Sequence, residues 1–105
     1  MKQLLETAAE LGVNLLDTAP AYGNSEERLG SLFRDQIRKR RSDWVLCSKA
    51  GEEFSAGESR FDFSANAITA SVERSLQRLG TDYLDVVLVH SSGDDERLLA
   101  RYRPL

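Results

Sequence analysis

Three short apolar runs, separated by stretches with helical spacing, constrain the fold of this chain more than any other feature. Leu84-Asp85-Val86-Val87-Leu88-Val89 is the clearest, and its near-continuous apolar character suits a strand covered on both faces. Trp44-Val45-Leu46-Cys47-Ser48 reads as a second strand and Val13–Leu16 as a third. Residues 2–11 place Leu4, Leu5, Ala8 and Leu11 on one helical face, stopped by Gly12. A second helix opens at Asn24-Ser25-Glu26-Glu27, a capping residue followed by acids, with Leu29, Leu32, Phe33 and Ile37 as its apolar stripe. Ser64 caps a third, whose Ile68, Val72, Leu76 and Leu79 recur at helical spacing until Gly80 ends it. Asp94, Asp95 and Glu96 start a fourth helix that fades toward Leu105, and Ala50–Phe63 reads as a long irregular stretch. Alternation of this kind is the signature of βαβ units and a parallel sheet. With no linker or low-complexity segment, residues 1–105 read as one domain, α/β in class.

Composition narrows the function classes. Hydrophobic residues make up 41% of the chain and charged ones 30%, the balance of a globular protein. No apolar stretch approaches the ~20 residues of a membrane span, and the N-terminus lacks the long apolar core of a secretory signal. A single cysteine, Cys47, allows no internal disulfide, so a cytoplasmic location is expected. One Cys and one His leave no zinc cluster, and no metal site is expected. The basic run Arg38-Lys39-Arg40-Arg41 closes the second helix, where cations suit the dipole. Without interleaved aromatics it does not argue for nucleic acid.

Chemistry concentrates in Asp17, Tyr22, Lys49 and His90, each at or just past the C-terminal end of an expected strand. Parallel α/β folds carry out their chemistry at those ends. A shielded lysine needs an anion beside it, and Asp17 is placed to be that anion. An ammonium held near a phenol favours the phenolate, which suits Tyr22 to protonating an alkoxide as it forms. A neutral His90 on the next strand could hydrogen-bond the same oxygen. Taken singly, each has an ordinary reading: an ion pair for Lys49, a loop cap for Asp17, a turn aromatic for Tyr22, a rim histidine for His90. Their joint placement at three successive strand ends suggests reversible carbonyl reduction with a hydride from elsewhere.

The run Gly12 to Gly30, with Asp17-Thr18-Ala19, Tyr22-Gly23, Ser25-Glu26 and Leu29-Gly30, closely resembles the aldo-keto reductase signature. Ser48-Lys49 is similar to that family's active-site lysine segment. The stretch Ser71 to Ser91 resembles the one leading to its active-site histidine. The resemblance implies a (β/α)8 barrel, of which this chain carries three parallel strands and their helices, the second to fourth. It implies NADP(H) as hydride carrier and aldehydes, ketones or sugars as substrates. It also assigns Tyr22 as general acid/base, Lys49 as its electrostatic partner, Asp17 as the lysine's anion near the nicotinamide, and His90 as the group positioning the carbonyl. Ala50–Phe63 resembles the extended loop of members acting on sugars and small aldehydes, pointing toward the aldose-dehydrogenase-like side.

The expected opening strand with its glycine-rich segment, and everything after the fourth strand, are absent from the sequence, as is any G-x-G-x-x-G phosphate cradle. A barrel of this kind takes ~250 residues. The isolated chain is therefore expected to be inactive, and to self-associate through open sheet edges. The alternative function is a truncated, non-catalytic remnant or interaction module of the same fold.

Overall fold

The computed structural model describes residues 2–35 and 40–90. Helix α1 (Lys2–Glu10) ends at Gly12, whose positive φ of 88° lets the chain reverse. Val13 then donates its amide back to the Ala8 carbonyl, so it finishes the helix instead of starting a strand. Strand β1 spans Leu15–Asp17, two residues later than the periodicity indicated. Helix α2 (Ser25–Asp35) follows the loop through Tyr22. A 3₁₀ turn at Arg41–Asp43 is closed by the Trp44 amide on the Arg41 carbonyl, which sets the start of β2 (Val45–Ala50).

The expected irregular stretch after β2 is instead an antiparallel hairpin, β3 (Glu52–Ser55) and β4 (Glu58–Phe61). Its two-residue turn puts Ala56 at φ 53° and Gly57 at φ 79°, the left-handed pair that matches strand twist. Helix α3 (Ala65–Leu79) is capped as read: the Ser64 side chain accepts from the Ala67 amide, and Gly80 closes it at φ 66°. Strand β5 (Val86–Val89) completes the sheet.

The three long-range strands lie parallel in the order β1-β2-β5, with Asp17 level with Cys47 and Ala50 level with Val89. The core lies on the helix-covered face, where Leu5, Leu29, Leu32, Trp44, Leu46 and Leu79 pack together. Burying side chains of this size contributes roughly 1.5–3 kcal/mol each.

Several stripes differ from expectation. On α1, Leu5 and Ala9 pack inward, while Leu4, and Leu11 just past the helix end, are exposed. On α3 the fully buried line is Ser71, Ser75 and Leu79, and the small serines let the helix sit close while Ile68, Val72 and Leu76 flank it. Strand β5 is exposed along its length, not covered on both faces, and among the described residues its strand neighbour is β2 alone. Helix α2 and α3 cross at Gly30, where a Cβ would collide with the Arg78 carbonyl. Of the basic run, Arg40 caps and Arg41 opens the 3₁₀ turn, while Arg38 and Lys39 lie outside the described residues. Ile37 and the expected fourth helix also lie outside them.

Candidate active site

The parallel register gathers the singled-out side chains at one rim. Asp17 ends β1, Lys49 is the penultimate residue of β2, and His90 follows β5 directly. The His90 amide donates to the Ala50 carbonyl (2.8 Å), which pins the end of β5 to β2. Tyr22 sits in the loop after β1, where its amide donates to the Ala19 carbonyl and its own carbonyl accepts from Ser25, the first residue of α2.

The Lys49 ammonium donates to Asp17 Oδ1 (2.9 Å) and to the Thr18 carbonyl (3.1 Å), and lies 4.8 Å from the centroid of the Tyr22 ring. Its side chain is 12% exposed, against 54% for Asp17. Burial works against the ammonium, yet its interactions with Asp17 and Tyr22 together hold it above the usual lysine value. The hydrogen bond from Lys49 in turn holds the Asp17 carboxyl below its ordinary range, against a smaller opposing effect of desolvation. The pair is therefore ionised across the neutral range. Tyr22 and His90 meet edge to face, with ring centroids 6.1 Å apart. All four predicted residues thus converge, Tyr22 touching both Lys49 and His90.

Sequence reasoning missed two acids here. Glu26, taken as an acid of the first helical turn, is 2% exposed: its Oε2 accepts from the Ser48 hydroxyl (2.8 Å) and its Oε1 from Arg78 (3.1 Å). It anchors α2 to α3 and to the residue beside Lys49. Glu52, at the start of β3, places Oε1 3.4 Å from His90 Nε2. The only available signal was its position three residues beyond Lys49. Burial pushes the Cys47 thiol above its ordinary value, and the neighbouring Asp17 carboxylate adds to the effect. Among the described residues no cluster of three or more His, Cys, Asp or Glu could hold a metal.

The sequence pattern of the aldo/keto reductase family matches residues 1–101. The chain belongs to that family. This aldo/keto reductase chain is 38% identical over 99 residues to an uncharacterized oxidoreductase, YqkF, of Bacillus subtilis, covering 90% of this chain and 31% of that protein. It is 39% identical over 85 residues to L-galactose dehydrogenase of Arabidopsis thaliana, covering 79% and 25% respectively. A solved structure from Pseudomonas aeruginosa, assigned to the aldo-keto reductases, superposes with a TM-score of 0.84 at 58% identity, covering 93% of this chain and 37% of that one. The three parallel strands and their helices are thus part of a (β/α)8 barrel, and the chain spans between a quarter and a third of the curated relatives it matches. No helix among the described residues is long and apolar enough to cross a membrane.

Proposed function

We propose that the chain carries the proton-transfer half of an NAD(P)H-dependent oxidoreductase that interconverts aldehydes, ketones or sugars with alcohols. The observation that carries this reading is the shielded Lys49 ammonium, held by Asp17 on one side and close to the Tyr22 ring on the other. Tyr22 donates its phenolic proton to the carbonyl oxygen as that oxygen becomes an alkoxide, and takes it back in the reverse direction. Lys49 stabilises the phenolate left behind, and Asp17 keeps the lysine charged and in place. His90 hydrogen-bonds the same oxygen and orients the carbonyl.

The four side chains hold and move protons but carry no hydride, so the donor set fits a separate hydride carrier. A reduced nicotinamide, when bound, supplies that hydride. Asp17, half exposed at the rim, is the residue of this chain nearest in role to the nicotinamide end, and the described residues include no further element for gripping a dinucleotide. Likeness to L-galactose dehydrogenase favours a sugar or a small hydroxyaldehyde over a bulky ketone.

The test is a graft. Residues 1–101 replace the matching segment of the Pseudomonas homologue, and NADPH and NADH consumption is followed with a panel of aldehydes and aldoses. The graft should turn over within about tenfold of its parent, and Tyr22→Phe should abolish turnover on the order of 10²–10⁴-fold. The 105-residue chain alone should leave the cofactor unconsumed. A folded graft in which Tyr22→Phe changes nothing would sink the assignment.

A further inference from the structure

The hairpin holds a carboxylate against His90 that the chemistry described above does not use. Neighbouring residues of a strand point to opposite faces, and the first two of β3 use this. Glu53 turns to α3, accepting on one oxygen from the Ser71 hydroxyl (2.7 Å) and from Arg74 (2.9 Å). Glu52 turns to the rim, with Oε2 taken by the Ser59 hydroxyl of β4 (2.7 Å) and Oε1 at His90 Nε2 (3.4 Å). Gly51 gives the hairpin its entry angle: its φ of 113° and the Phe63 ring packed where a Cβ would stand leave no room for a side chain. Strand β3 is thus held on both sides, and Glu52 arrives at the imidazole from a fixed support.

The other ring nitrogen points to the same arrangement. His90 Nδ1 is buried and has no hydrogen-bond partner among the described residues. A proton on Nδ1 would bury an unpaired N–H donor, a costly state, whereas a bare Nδ1 lone pair is the cheaper one to leave unpaired. A carboxylate can only accept, so its presence at Nε2 calls for the proton there. We propose that Glu52 is a positioning residue that fixes neutral His90 as the tautomer protonated on Nε2 and aims that N–H at the substrate oxygen. At 3.4 Å the contact is long for a hydrogen bond, so the carboxylate steers the ring and leaves the proton shareable with an incoming carbonyl. The charged and titratable groups around the imidazole are Glu52 from β3, Tyr22 from the loop after β1, and Asp17 at the end of β1. This rests on the reading of His90 as the carbonyl-orienting group.

His90 is the only histidine of the chain, which makes the test direct. Side-chain ¹⁵N spectra of the 105-residue protein are recorded at mildly alkaline pH, where the two nitrogen shifts themselves report whether the ring is neutral. The nitrogen shifts should report protonation at Nε2 alone, with an N–H that exchanges slowly with water. Glu52→Ala should speed that exchange by about tenfold or more and let the two tautomers mix. Glu52→Gln should restore slow exchange, because its amide oxygen still accepts. If Glu52→Ala fails to fold, Ser59→Ala releases Oε2 and should speed exchange several-fold in a folded chain. An Nδ1-protonated ring in the parent protein, or exchange unchanged by either alanine variant, would overturn the proposal. The spectra involve no turnover, so an inactive graft leaves this result standing and a failed tautomer test leaves the Tyr22 assignment standing.

Discussion

The two ends of the sheet present the same ingredients with opposite outcomes. At the N-terminal end Arg41, 15% exposed, sits 3.0 Å from Asp85; at the C-terminal end Lys49, 12% exposed, sits 2.9 Å from Asp17. Each cation also lies near a tyrosine ring, at 4.0 Å for Arg41 on Tyr83 and 4.8 Å for Lys49 on Tyr22. The difference is in what remains unmet. Arg41 spends every nitrogen: Nε on the Thr81 hydroxyl, one terminal nitrogen on the Trp44 carbonyl, the other on the Tyr83 carbonyl and Asp85. At the other end Tyr22 is half exposed and His90 Nδ1 has no partner among the described residues. A closed network holds structure, and an open one is free to act on something else. Barrel enzymes divide labour between their two ends in the same way.

The largest expected effect breaks the comparison at the open end. Tyr22→Phe should cost turnover in the graft by on the order of 10²–10⁴-fold, with its urea midpoint unmoved. Next, Arg41→Met at the closed end should do the reverse. Losing the hydrogen bonds to the Trp44 and Tyr83 carbonyls should lower stability by about 2–3 kcal/mol, read from urea unfolding, with turnover of the folded graft preserved.

Acid should act on both ends in one direction. Asp17, through Lys49, and Asp85, chiefly through the Leu46 amide, are held below their usual 3.8 in the folded chain. Each binds its proton more weakly folded than unfolded, so its contribution is present above about pH 4 and drains as pH falls through the lowered values. Either Asp17→Asn or Asp85→Asn should flatten the fall in melting temperature below pH 4, and the double variant should flatten it further. At the alkaline side Lys49, held above 10.5, loses its contribution only as pH rises through that raised value. The smallest effect comes from the same chemical change as the largest. Tyr83→Phe keeps the ring under Arg41 and the backbone carbonyl, and should shift stability by less than about 0.5 kcal/mol.

The strands, the α3 caps and the four rim residues were legible because local signals encode them: apolar runs, a serine and a glycine at fixed offsets, polar groups at strand ends. The hairpin was not. Glu52-Glu53-Phe54-Ser55 and Glu58-Ser59-Arg60-Phe61 have no clear apolar alternation, and Ala56 is not a residue that announces a left-handed turn. Missing the hairpin meant missing Glu52. Arg41 was misread as a helix-end charge because all but one of its partners lie some forty residues away. Strand β5 read as doubly covered because its composition records what it is suited to meet, not what the described residues supply.

Gly30 sits inside a helix, where glycine costs about 1 kcal/mol relative to alanine, and what it provides there is a distance. By letting α2 touch the backbone of α3, it sets how far Arg78 must reach to Glu26, which in turn holds Ser48 beside the rim lysine. Through α3 the same spacing fixes Ser71 and Arg74, from which the hairpin hangs. A single added methyl at that crossing would wedge the two helices apart and displace the rim side chains from behind, with every one of them chemically intact.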